Sequence, residues 1–113
     1  MSTRSRIARR LADGRYCSIY CHFDGDLVGK VLQEHFPTEA DAKIIVNFGD
    51  LSSISKDGVD AYMDKGEPWA KIRPHNSDNL QDLITLAWET GAEYVYYWQD
   101  GGWQSLSMWG PKS

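Results

Sequence analysis

No stretch of this chain approaches the ~18 consecutive apolar residues that a membrane-spanning helix needs, so no transmembrane segment is expected. The basic start, Met-Ser-Thr-Arg-Ser-Arg, is followed by no apolar signal region, and the reading from sequence is a protein that stays in the cytosol where it is made. Cysteine is scarce, with only Cys17 and Cys21, and in that compartment both are expected as thiols. Also missing are a glycine-rich phosphate loop, a serine elbow and a paired-carboxylate motif, so no catalytic residue is assigned and no cofactor is implied. Internal repeats and low-complexity linkers are absent, and 113 residues suit one domain, 1–113, with its own core.

Positive charge is in deficit overall and concentrated locally. The net charge is −4, yet residues 1–16 hold Arg4, Arg6, Arg9, Arg10 and Arg15 against Asp13 alone, a local +4 that leaves −8 on the remainder. That acidic remainder argues against sequence-independent binding of duplex nucleic acid, while the arginine-rich end can grip a single anionic group or simply be a solvated hairpin.

The densest signal is Tyr16 to Gly25, a strand of bulky residues that stops at Asp24-Gly25. Residues 4–23 read as a β-hairpin turning at Asp13-Gly14. A three-residue loop, Ala12-Asp13-Gly14, pairs Ile7 with Ile19 and Arg9 with Cys17 and is preferred over a two-residue loop, which would put Arg6 on the apolar face. In that register Ile7, Leu11, Cys17, Ile19, Cys21 and Phe23 face a core together with Arg9. The opposite face collects Arg4, Arg6, Arg10, Tyr16, Tyr20 and His22, guanidinium groups beside aromatic rings, which suits either a covering helix or a flat anionic ligand. His22 and Asp24 share strand parity, a pair that more often secures a turn, here the strand-to-helix turn at Asp24-Gly25, and otherwise adds a polar pair to that candidate ligand face.

The spacing of Cys17, Cys21, His22 and His35 counts against a metal site, because residues four apart on a strand lie about 13 Å apart. No metal ligand is therefore assigned.

Three helices are predicted. Asp26 caps the first, whose stripe is Leu27, Val28, Val31, Leu32 and Phe36, with Gly29 marking a close approach. Thr38 and Asp41 form a capping box for the second, carried by Ala42, Ile45, Val46 and Phe48 and closed by Gly49. Ser77 or Asp78 caps the third, with Leu80, Leu83, Ile84, Ala87 and Trp88 as its buried stripe. Between the second and third, residues 50–54 read as a turn with two buried anchors, Lys56-Asp57-Gly58 as a turn, and Val59 to Met63 and Trp69 to Arg73 as short strands. Glu93 to Gln99 and Trp103 to Trp109 form a second hairpin, with Tyr94, Tyr96 and Trp98 on one face and Val95 and Tyr97 on the other. The expected fold class is α+β: an antiparallel sheet of four to six strands, built from the N- and C-terminal hairpins, packed against about three helices.

Met1 to Ile7, Asp13-Gly14, Ser18 to Gly25 with its Tyr20-Cys21-His22-Phe23-Asp24-Gly25 core, and Gly49 to Ser53 together resemble a widespread group of small bacteriophage and prophage proteins. Tyr62 to Glu67 and Glu93 to Tyr96 fit the group more loosely. The group's core phrase reads Tyr-Cys-His-Trp-Asp-Gly-Tyr-Pro, from which Phe23 and the residues after Gly25 depart. The resemblance implies phage origin, action in the host cytoplasm and no settled chemistry. By analogy it points to a non-enzymatic accessory protein that inhibits a host antiviral defence, such as a CRISPR effector complex, through an acidic and aromatic surface. Asp57, Asp60, Asp64 and Glu67 are the candidate partner surface. The alternative is a binder or hydrolase of a nucleotide signal using Arg4, Arg6, Arg10, Tyr16, Tyr20, His22 and Asp24. A homodimer is open in both cases.

Overall fold

The structure, a computed structural model, describes residues 3–108; Met1, Ser2 and Trp109, which enter the resemblance and the second hairpin above, lie outside the described residues. Strand β1 (Ser5–Arg10) pairs antiparallel with β2 (Tyr16–Cys21), matching Ile7 to Ile19 and Arg9 to Cys17. This is the register of the three-residue loop: Gly14 sits at φ +91 and its N–H donates to the Leu11 carbonyl at 3.0 Å. Glycine takes that left-handed geometry without steric cost, so the turn sets which side chains share a face.

Helix α1 (Gly25–His35) follows β2, and α2 (Glu39–Asn47) opens on the Thr38–Asp41 capping box. The cap of α1 is Asp24 at φ 57, with Asp26 inside the first turn, and Leu27 is 57% exposed. The stripe is narrower than expected because Val28 and Leu32 alone among its apolar residues are fully buried. At Gly29 a Cβ would stand 2.5 Å from Tyr96 Cε1, the close approach that the glycine signalled.

Residues 50–54 are not a turn. Most of them form β3 (Leu51–Ser55), which continues through the Lys56-Asp57 turn into β4 (Gly58–Ala61) and a 3₁₀ turn, Tyr62–Lys65. Trp69 to Arg73 is likewise not a strand. Pro68 and Pro74 bracket a single helical turn, α3 (Trp69–Ile72), because proline fixes an entry φ of −65 at one end and drives Arg73 to extended backbone at the other. Strand β5 (His75–Ser77) leads to α4 (Leu80–Glu89), capped by Asn79, whose Oδ1 accepts from the Asp82 N–H at 2.9 Å, rather than by Ser77 or Asp78. Strands β6 (Tyr94–Gln99) and β7 (Gly102–Ser107) close the described chain as an antiparallel hairpin.

The class is α+β, but the sheet is mixed rather than antiparallel. Its order is β4-β3-β2-β1-β6-β7, with β5 also paired to β2. Each hairpin is antiparallel within itself; β6 meets β1 in parallel, and β3 meets β2 in parallel at Cys21 and Leu51. Parallel contact requires a crossover connection, and the crossover elements cover the sheet. Helices α1 and α2 bury Ile7, Ile19, Cys21 and Tyr96 on one face, and α4 buries Ala8, Tyr16, Val95 and Tyr97 on the other.

Helix α4 corrects two expectations. Leu83 and Ala87 are fully buried, but Trp88 is 68% exposed, because one residue on from Ala87 turns the side chain about 100° away from the sheet. The arginine and tyrosine face of the first hairpin, a candidate ligand surface in sequence, is closed in part: Arg6 is 1% exposed, and Tyr16, which packs with Leu83 and Ala87 of this helix, is 6% exposed. Among the described residues no helix is long and apolar enough to cross a membrane.

Candidate functional site

The outer edge of β2 is shared between two short partners. Strand β5 takes Tyr16 to Ser18 and β3 joins only at Cys21, which leaves the Tyr20 N–H in a gap. A backbone donor stranded there would cost about 1–3 kcal/mol. Asp50 fills the gap: its Oδ1 accepts from the Tyr20 N–H at 3.0 Å, its own N–H donates to the Ile72 carbonyl at 2.8 Å, and its carbonyl accepts from the Tyr62 N–H at 3.2 Å. One residue thus ties β2 to α3 and to the 3₁₀ turn.

A recess of about 210 Å3 opens over this junction, lined by Tyr20, Asp50, Tyr62, Glu67, Lys71 and Ile72. The Tyr20 hydroxyl and His22 Nδ1 lie 2.7 Å apart, and burial pushes the Tyr20 hydroxyl and the Asp50 carboxyl up from their ordinary values. Arg6 is held down to about 10, chiefly by burial and partly offset by Asp50. Its Nε donates to Ser18 Oγ at 2.8 Å, and among the described residues no carboxylate oxygen comes within the 4.0 Å of an ion pair. Arg6 therefore stands behind the site as a buried cation and is not a ligand-facing group.

The acidic candidates lie on the segment that flanks the recess. Asp57 is in the β3–β4 turn, Asp60 on β4, Asp64 in the 3₁₀ turn and Glu67 after it, all exposed. Asp60 pairs with Lys65 at 3.3 Å and Glu67 with Lys71 at 3.9 Å, whereas Asp57 and Asp64 make no ion pair among the described residues. Met63 and Trp69, 44% and 47% exposed, belong to the same ridge.

The other candidates from sequence disperse. Tyr16 points under α4 and its hydroxyl donates to Gln99 Oε1 at 2.5 Å. Arg4 lies at the entry to β1, where its carbonyl accepts from the Glu93 N–H, and Arg10 lies at the opposite end of β1. Asp24 takes a left-handed φ of 57, so the strand parity that aligned it with His22 stops before it. Of the seven ligand candidates, the recess retains Tyr20 with His22 beside it. Sequence reasoning missed Asp50, Tyr62 and Lys71. Gly49-Asp50 carries a visible turn signal, but nothing local says that its carboxylate serves a strand thirty residues away.

Among the described residues no three His, Cys, Asp or Glu side chains are grouped to hold a metal. Cys17 is half-buried and Cys21 buried, both free thiols, and burial raises both, Cys21 to about 12. A thiol reagent added to the native protein is expected to modify Cys17 first and Cys21 only on unfolding. Because the folded value of Cys21 lies above the unfolded value near 9, its contribution to stability is complete below pH 9 and is lost as pH rises towards 12. Melting curves across that window should fall, and Cys21→Ala should flatten the fall; an unchanged slope would refute the assignment.

No family model, curated protein or solved structure matches the chain.

Proposed function

We propose that the chain is a phage-encoded accessory protein that inhibits a host antiviral defence complex, such as a CRISPR effector, by occupying part of its surface. The observation that carries this reading is the ridge formed by the segment from Asp57 to Trp69, which carries four exposed carboxylates together with the exposed side chains of Met63 and Trp69. Aromatic anchors inside a charged rim are the usual makeup of a protein-binding hot spot. A surface of this sign complements the basic channels through which defence complexes handle nucleic acid, and charge complementarity raises the association rate. The alternative, a nucleotide binder on the outer face of the first hairpin, has less support because Arg6 is buried and α4 packs over Tyr16 there.

Asp57 and Asp64 are the informative positions, since reversing them breaks no ion pair within the described chain. Cells whose CRISPR effector targets an incoming phage are expected to become permissive when they express the chain. Asp57→Lys with Asp64→Lys should abolish that protection of the phage, and Trp69→Ala should weaken it by about tenfold or more, a typical hot-spot loss. Binding to the isolated complex should weaken with salt. A doubly reversed variant that protects as well as the parent, at unchanged melting temperature, would overturn the assignment of the surface.

A further inference from the structure

A second recess, of about 300 Å3, lies where the β6–β7 turn meets the tip of the first hairpin, and its walls include Arg9, Arg10, Trp98, Gln99, Glu39 and Asp100. Strand alternation sends Arg9 and Arg10 to opposite faces, but the recess sits at the end of β1, where both side chains reach it. Among the described residues neither guanidinium lies within 4.0 Å of a carboxylate, although Glu39 and Asp100 line the same space. Arg9 Nε is buried with no hydrogen-bond acceptor. A buried charged donor left without an acceptor is costly, and a ligand oxygen placed against it would relieve that cost. The walls are held by the fold. The Trp98 indole N–H donates to the Pro37 carbonyl at 3.4 Å, and Gln99 is fixed through its Oε1 by Tyr16.

We propose that this recess binds a small phosphate monoester that carries a planar ring, of the nucleoside monophosphate class. Guanidinium groups match phosphate oxygens through paired N–H donors, and the Trp98 ring offers a stacking surface to a base. Glu39 and Asp100 can accept from ribose hydroxyls, and their charge disfavours a polyphosphate. The volume lies at the small end of the ~300–1,000 Å3 typical of ligand sites, enough for one nucleotide. The site is separate from the acidic ridge: Arg9 and Arg10 pair with Cys17 and Tyr16 at one end of β2, while β3, the strand that leads into the ridge, joins β2 at Cys21, about 13 Å along the strand from Cys17.

Equilibrium dialysis with AMP, adenosine and inorganic phosphate tests this on the full chain. AMP is expected to bind with a Kd below about 1 mM, and adenosine and phosphate each at least about tenfold more weakly. Arg9→Gln with Arg10→Gln should abolish AMP binding. Arg10→Gln alone, at an exposed residue that the fold does not need, should weaken it by about tenfold. Trp98→Leu should weaken AMP while leaving phosphate unchanged. No AMP binding at about 1 mM, or equal binding by the Arg10→Gln protein, would overturn the proposal. Neither result bears on the ridge, whose test uses different residues and a different readout.

Discussion

Leu83→Ala is expected to destabilise the protein by about 2–5 kcal/mol, while Trp88→Ala, five residues along the same helix, should change stability by no more than about 0.5 kcal/mol. Leu83 is 0% exposed and packs with Ala8, Tyr16, Val95 and Tyr97 beneath α4, so truncation removes buried surface and leaves a cavity. Trp88 is 68% exposed and leaves none. For a domain near 100 residues each kcal/mol moves the melting temperature by roughly 4–8 °C, so the Leu83 variant should melt roughly 10 °C or more below the parent and the Trp88 variant alongside it. Equal losses would mean that α4 packs through a different face, and with it would go the case that the helix closes over Tyr16.

That contrast marks the boundary of what local sequence specifies. The Ala12-Asp13-Gly14 turn determined the register of the first hairpin down to Ile7 opposite Ile19, because loop length and side-chain alternation are local properties. The Thr38–Asp41 cap and the closeness of Gly29 to Tyr96 were legible for the same reason, each being required by the residue itself. The direction in which β6 meets β1 was not legible, since two hairpins with identical patterns can dock either way and the choice lies with the crossover through α4. Strand β3 looked like a turn because its serine-rich sequence lacks a clean alternation: it pairs with the short β4 across a register shift between Leu51 and Ser53, and its contact with β2 comes from the other side of two helices. The candidate site divides along the same line. Tyr20 and His22 follow from parity, and Arg6 was correctly placed opposite Tyr20. Its burial was not foreseen, because alternation assigns a face and says nothing about what covers it. Asp50 escaped notice altogether because its role exists only where β3 and β5 leave the β2 edge unpaired.

Gly49→Ala is the substitution expected to damage both stability and the ridge. Gly49 has φ +78, where an added Cβ costs about 1–2 kcal/mol. That Cβ would also stand 2.6 Å from the Ile72 carbonyl oxygen and 2.9 Å from Trp69 Cζ3. The carbonyl is backbone, and it already accepts from the Asp50 N–H at 2.8 Å, so it yields only if α3 moves away from Asp50. Overpacking of that kind adds about 1–3 kcal/mol. The total should be about 2–5 kcal/mol, the sum of the two contributions. Gly101→Ala supplies the comparison: it has φ +86, close to that of Gly49, and nothing within 4 Å of its added Cβ, so it bears the conformational cost without the clash. Thermal melts of the two variants separate the effects, and the Gly49 variant should melt lower. Because Asp50 links Tyr20, Tyr62 and α3, the displaced helix should also carry Trp69 out of position and weaken partner binding beyond the loss from reversing Asp57 and Asp64. Equal melts for Gly49→Ala and Gly101→Ala would show that the Asp50 junction tolerates displacement and that the ridge is not held by it.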